Sequence, residues 1–344
     1  MSTTRSDRRK RPTQSDVARR AGVSQAMVSY VLNDKADEVS VETRNRILAA
    51  IDELGYVPDG AARTLRTRKT QTIACIIPDI TNPFYPALER GIQRIAEDQG
   101  YDLIVSNTDG VAEKESRALH GLLRGRADGA VMVPFSIDRA RVRDALNAGI
   151  ALTMLHLPDA ELQELGVDFI KVDTGDGARL AVDYLIERGH SRIGMIAGIA
   201  NTPPREMRLA GYRQALSAHG LPTDDLLIRG ADYQEAGGHE AMVELLKLDD
   251  RPTAVFAAND LMAMGAMMAV REAGLRIPDD IAIIGLDDIP AAKLVHPPLT
   301  TVAQFPERLG LVAAELLFSR LNGAAPATGR ALYQACELIV RDSA

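Results

Sequence analysis

The chain has 344 residues, 46% of them hydrophobic and 25% charged, with 40 Lys and Arg, 47 Asp and Glu and two cysteines. That length exceeds one small module, the composition excludes wholesale disorder, and no apolar run approaches the ~18 residues of a membrane span. Cys75 and Cys336 lie far apart and fit a reduced chain, while a polar, basic start predicts no secretory signal and a cytoplasmic location.

The net charge of -7 hides an asymmetry. Residues 1–70 carry 14 Lys and Arg against nine Asp and Glu, whereas the remainder carries 26 against 38. A basic head on an acidic body means that only the head would meet a polyanion. Residues 1–11 read as a disordered basic tail. Asp16 then follows Thr13 at capping-box spacing, Val17, Ala18 and Ala21 share one helical face, and Gly22 suits a left-handed stop. Ser24 can cap a second helix with Val28, Val31 and Leu32 inward. A third helix runs from the cap Ser40 to the stop Gly55, with Val41, Ile47, Leu48, Ile51 and Leu54 as its core face. Two short helices joined by a glycine-containing turn describe a helix-turn-helix; the alternative is a three-helix bundle with no DNA role.

The runs DVARRAGVSQAMVSYVLN at 16–33, VSVETRNRI at 39–47 and LGYVPD at 54–59 resemble the LacI/GalR family of bacterial transcription regulators. The similarity continues through nearly the whole chain. It implies a helix-turn-helix DNA-binding domain over 12–57 whose second helix lies in the major groove. Gln25, Ala26, Ser29 and Tyr30 then face outward, Gln25 toward a base edge and Ala26 toward a thymine methyl group. Ser24, Ser29 and Asn33 would hold phosphates, and Thr13 joins the DNA-binding set. Met27 stands where the family usually has Thr, and Tyr30 where Arg is frequent. Tyr30 cannot form the Arg–guanine fork, so the outer operator bases should differ; packing on the sugar–phosphate backbone is its other reading.

Residues 58–70 correspond to the family's hinge helix and linker. Leu65 occupies the position of the intercalating leucine, Ala61 and the DNA-binding Ala62 permit close approach of two hinges, and Arg63, Arg66, Arg68 and Lys69 add phosphate charge. A flexible basic linker is the alternative.

From residue 71 onward, buried-strand runs at Thr72–Ile77, 102–105, 129–133, Ala151–Leu155, 192–196, Ala254–Ala257 and 281–286 alternate with helical stretches such as 88–99 and Arg139–Asn147. This beat predicts an α/β body of open parallel sheets with helices on both faces, and its length predicts two lobes. Ligands in such sheets bind beyond the carboxyl ends of strands. Polar and aromatic residues there include Asp79, Asn82, Phe84 and Tyr85 after the first strand, then Asn259 with Asp260, and Asp287 with Asp288; Arg208 lies in EMRLAGY. Carboxylates, amides and a guanidinium can grip adjacent hydroxyls while an aromatic face packs on a sugar's C–H side. No phosphate loop, nucleophile elbow or His/Cys metal cluster occurs, so neither enzyme activity nor a cofactor or metal is expected.

The resemblance implies a two-lobed, periplasmic-binding-protein-like body of two doubly wound parallel sheets over 71–344. Its effector cleft is lined by Phe84, Tyr85, Arg208, Asn259, Asp287 and Gln304, with Asp79, Asn82 and Tyr233 as further members. Lobe 1 is expected over 71–172 and 306–328, lobe 2 over 173–305 and 329–340. Many sugar-responsive members have Asp-Arg where His156-Leu157 stand and Asp-Asn at Asp173-Thr174, while Pro203-Pro204 stiffen the loop before Arg208. A smaller, less hydroxylated or differently charged ligand would follow. The implied partners are double-stranded operator DNA, a small-molecule effector of carbohydrate type and a second copy of the chain, with no membrane. Without a leucine-heptad tail, a dimer is expected over a tetramer. A free solute-binding protein, an enzyme on the same sheets and a body answering to a partner protein are the rival readings.

Overall fold

A computed structural model of the chain describes residues 12–32, 38–57 and 69–344. The chain divides into two compact units at Thr70/Gln71. In the first, α1 (Gln14–Ala21), α2 (Gln25–Leu32) and α3 (Val41–Leu54) enclose a small core of Val17, Ala18, Ala21, Val28, Ile47 and Ala50. Thr13 and Asp16 close the expected capping box, Ser40 caps α3, and Gly22 and Gly55 end their helices in left-handed geometry. Val41 and Leu48 do not join the core: both are exposed, because Val41 opens the helix at its free end and Ala50 takes the inward place beside Ile47.

The second unit follows in chain order as β1 (Thr72–Ile77), α4 (Phe84–Asp98), β2 (Asp102–Asn107), α5 (Ala112–Gly121), β3 (Gly129–Met132), α6 (Arg139–Asn147), β4 (Ala151–Leu155), α7 (Ala160–Glu164), β5 (Asp168–Val172), α8 (Thr174–Glu187), β6 (Ile193–Ala197) and α9 (Pro203–Ala218). It continues through β7 (Ile228–Gly230), α10 (Glu235–Leu246), β8 (Ala254–Ala257), α11 (Asp260–Glu272), β9 (Ala282–Asp287), β10 (Thr300–Ala303), α12 (Pro306–Leu321), β11 (Ala331–Gln334) and β12 (Glu337–Ile339). The apolar runs become central strands covered on both faces, as parallel sheets require. One sheet has the order β11-β5-β4-β3-β1-β2 and the other β12-β10-β9-β8-β6-β7. All pairings are parallel except β10 with β12.

Each sheet is the centre of one lobe. The chain crosses between lobes after β5, after β10 and between β11 and β12, since α12 packs in the core of the first sheet. Where α4 meets α12, only glycine fits. A Cβ on Gly310 would lie 2.0 Å from the Leu88 carbonyl oxygen, and one on Gly91 2.1 Å from that of Glu307.

One expected boundary fails. Residues 329–340 do not lie wholly in lobe 2, because Ala331–Gln334 pairs with β5 in the first sheet. The cause is Asp168, fully buried at the start of β5. It accepts two hydrogen bonds from the Arg330 guanidinium (2.8 and 3.1 Å), one from the Arg330 backbone (2.7 Å) and two from Arg320 (2.8 and 3.0 Å). Burial alone would raise this carboxyl, but the two guanidinium groups hold it below the usual carboxylate range.

Candidate functional sites: an exposed helix and an enclosed cleft

In the first unit, α2 presents Gln25, Ala26, Met27 and Tyr30 to solvent, with Ser29 half-buried and Val28 inside. The helix contains no charged residue. Ser24 accepts from the Met27 backbone at 3.3 Å, and Thr13 donates its hydroxyl to Asp16 at 2.6 Å; both side chains are exposed. Asn33, Ala62 and Leu65 lie outside the described residues.

In the second unit the two lobes meet around a cavity of about 310 Å³. Asp79, Asn82, Phe84 and Tyr85 line it from the end of β1 and the start of α4. Arg208, Tyr233, Asn259, Asp287 and Gln304 line it from the other lobe. All nine residues singled out from the sequence therefore share one wall. The lobes touch directly: Gln234 donates to Asp79 at 2.6 Å, Asn82 donates to Asp287, and the Phe135 and Tyr233 rings meet edge to face at 6.3 Å.

Asp287 is the electrostatic centre. Gln304 Nε2 donates to it at 2.5 Å and the Arg208 guanidinium lies nearby, yet burial pushes its carboxyl above the usual range against these opposing partners. Burial and the charge of Asp287 push Asp260 up as well, and likewise keep the Tyr85 phenol protonated and able to donate. Arg208 is buried, donates to the Ala258 carbonyl at 2.7 Å and lies 5.9 Å from the Tyr233 ring centre. Arg208 Nε, Tyr233 Oη and Thr174 Oγ1 are buried without a hydrogen-bond partner. Buried polar atoms left open at a cavity wall are the places a polar ligand satisfies.

The backbone around this centre is strained. Asp287 (φ 131°), Asp288 (φ 55°) and Tyr233 (φ 67°) occupy left-handed geometry that glycine normally supplies. Asp260 holds the turn after β9 by accepting from the Ile289 backbone at 2.8 Å and from Thr301 at 2.5 Å, and Arg341 pairs with Asp288 at 2.5 Å. The Tyr233 ring lies over Gly198, where a Cβ would come within 1.9 Å of it. Asn259 works first as a helix cap. Its carbonyl accepts from Met262 at 2.9 Å, and its amide donates to the Tyr233 carbonyl at 2.9 Å, which anchors that ring.

Several wall residues went unmarked as ligand contacts: Phe135, Leu155, Lys171, Thr174, Met207 and Asp232. Phe135 follows β3 as Phe84 follows β1, so inspecting every strand's carboxyl end would have found it. Glu115 fixes its position by accepting from the Phe135 and Ser136 backbones at 2.7 and 3.0 Å. The departures His156, Leu157, Pro203 and Pro204 all reach the cavity. Among the described residues no His/Cys/Asp/Glu cluster has metal-binding geometry, and no helix is long and apolar enough to cross a membrane.

Comparison with known proteins agrees with both sites. A profile described as "Bacterial regulatory proteins, lacI family" matches residues 13–59, and one for a "Periplasmic binding protein-like domain" matches 182–344. The Ribose operon repressor of Escherichia coli (strain K12) is 38% identical over 310 residues, 90% of this chain and 93% of that one. A transcriptional regulator CelR–cellobiose complex is similar over 97% of this chain and 100% of its own, with 33% identity and TM-score 0.72. The Lac repressor dimer bound to operator and the anti-inducer ONPF aligns over 97% and 99%, with 29% identity and TM-score 0.83. With a DNA-reading helical head, two parallel-sheet lobes and this level of identity, the chain belongs to the lacI family of bacterial regulatory proteins.

Proposed function

We propose that the protein is a cytoplasmic, non-enzymatic repressor that binds a pseudo-palindromic operator as a homodimer and responds to a hydroxylated small molecule in the interlobe cleft. The observation that carries this reading is the cavity itself: an Arg, a carboxylate and amides converge on it with open polar atoms, flanked by Phe84, Tyr85, Phe135 and Tyr233. That set grips hydroxyls and stacks on a ring; it supplies no activated nucleophile. The relatives support the same assignment, one being named for a ribose operon and another holding cellobiose.

In the head, Gln25, Ala26, Ser29 and Tyr30 read or position on the major groove, Thr13, Ser24 and Asn33 hold phosphates, and Ala62 and Leu65 act at the minor groove. Two heads in successive major grooves set half-site centres ~34 Å apart. Ligand binding changes lobe closure, which alters whether the two segments at 58–70 can order on DNA. Selection of genomic fragments with the purified full-length protein at moderate salt tests the reading. An enriched pseudo-palindrome is expected; no enriched motif, with or without added small-molecule extract, would overturn it.

A further inference from the structure

The cavity wall is graded, and the gradient narrows the class of ligand. In the first sheet β5, β4, β3 and β1 lie side by side. Their carboxyl ends present Val172, then Leu155 and Leu157, then Phe135, and finally Asp79 and Asn82. The wall thus turns from apolar to polar across four strands. The second lobe is graded in the same sense. Asn82 bonds to Asp287, which Gln304 also holds, so the polar ends face each other. At the opposite end the Met207 carbonyl oxygen would lie 3.1 Å from a Cβ on Gly175, which sets Pro203, Pro204 and Met207 beside Thr174 and the end of β5. Lys171, the cation on that side, is drawn to Asp173 at 3.1 Å and lies 5.4 Å from the Tyr333 ring centre.

We infer that the effector has two unlike ends, an inference that rests on the cleft being the effector site. One end is a hydroxylated ring held by Asp287, Gln304, Asn82 and Arg208. The other is a flat, weakly polar ring seated among Leu155, Leu157, Pro203, Pro204 and Met207. The class is therefore a glycoside with a planar aglycone, the chemistry that nucleosides and aryl glycosides share. Two side chains at the apolar end are fitted to a heteroatom on that ring. Thr174 is 4% exposed and its Oγ1 has no partner, so a ligand atom there satisfies a hydroxyl that is otherwise buried at a cost. His156 Nδ1 contacts the Leu157 carbonyl at 2.9 Å, which fixes the neutral ring with Nε2 as an acceptor. Space agrees: 310 Å³ is roughly ten water volumes at about 30 Å³ each, more than one sugar ring fills.

The test is calorimetric titration of the full-length protein with matched sets. Ribose, glucose and galactose are each offered free and as the phenyl β-glycoside, with uridine and adenosine added to the ribose set. In one set the ring-bearing member should bind at least about tenfold tighter than its free sugar. A nucleoside exceeding the phenyl riboside identifies a heteroatom-bearing ring; the reverse identifies an aryl group. Thr174→Val, which keeps shape and removes the hydroxyl, should cut the nucleoside's advantage several-fold and leave the free sugar unchanged. A free sugar that binds as tightly as its glycosides would overturn this inference and leave the sugar-effector reading intact. No binding by any member, with operator binding preserved, would overturn both.

Discussion

The two sheets of the body share a strand order but treat buried charge in opposite ways. In lobe 1, Asp168 is wrapped by Arg320 and Arg330 and held ionised, and it lies at the amino end of β5 away from the cleft wall. In lobe 2, Asp260 and Asp287 sit at the carboxyl ends of β8 and β9 with less countercharge, and burial pushes both carboxyls up. Lobe 1 thus uses its buried carboxylate to pin β11 to the sheet. Lobe 2 keeps one carboxyl, Asp287, under-compensated and facing a cavity. A site that must accept a ligand's hydroxyls is better served by groups whose hydrogen bonding is incomplete without it.

Like-for-like substitutions separate the two cases. Asp168→Asn removes the countercharge of two buried guanidinium groups and should cost about 3–5 kcal/mol in chemical denaturation of the body. Asp260→Asn replaces a carboxyl already pushed toward its neutral form and sacrifices one hydrogen bond, for about 1 kcal/mol. Equal losses would break the contrast. A smaller effect is expected across the cleft: Gln234→Ala removes the lobe-to-lobe bond to Asp79 and should weaken ligand binding by about fivefold, leaving operator affinity unchanged. An unaltered ligand affinity would show that this contact does not favour closure.

The pH dependence follows from the same difference, with opposite signs. Asp168 is depressed in the folded state, so its contribution is present above about pH 4 and is lost as pH falls through its lowered value. Asp260 and Asp287 are raised, so the folded state binds more protons than the unfolded chain. Their contribution is greatest below about pH 4 and is lost as pH rises through the raised folded values. Melting curves collected upward from mildly acidic pH should therefore show a decline that Asp260→Asn flattens and Asp168→Asn does not.

Much of this was legible in the residues. The box at Thr13 and Asp16, the stops at Gly22 and Gly55, and the strand-end positions of Asp79, Asn259 and Asp287 are local signals, and local signals survive folding. What escaped was set by contacts between distant segments. Ala331–Gln334 joins the first sheet because Arg330 reaches Asp168 across 162 residues of chain, which no periodicity reveals. Leu48 looks like a core residue by pattern, but the space beside Ile47 is filled by Ala50. The loss of two family polar groups at His156-Leu157 and Thr174 pointed to a smaller or less hydroxylated ligand. The cavity's volume favours a larger one with an apolar end, because Phe135, Leu155 and Met207 widen the apolar side.

The central claim is that a ligand in the cleft controls operator binding through Arg208 and Asp287. Fluorescence anisotropy of a selected operator fragment, titrated with a ligand found by calorimetry, measures this for the wild type and Arg208→Ala. Wild type should release the operator as the cleft fills. Arg208→Ala should bind the same operator with unchanged affinity and no longer respond, its ligand affinity down by roughly 10- to 100-fold through loss of a charged hydrogen-bond donor. A variant that releases DNA at the wild-type ligand concentration would contradict the account.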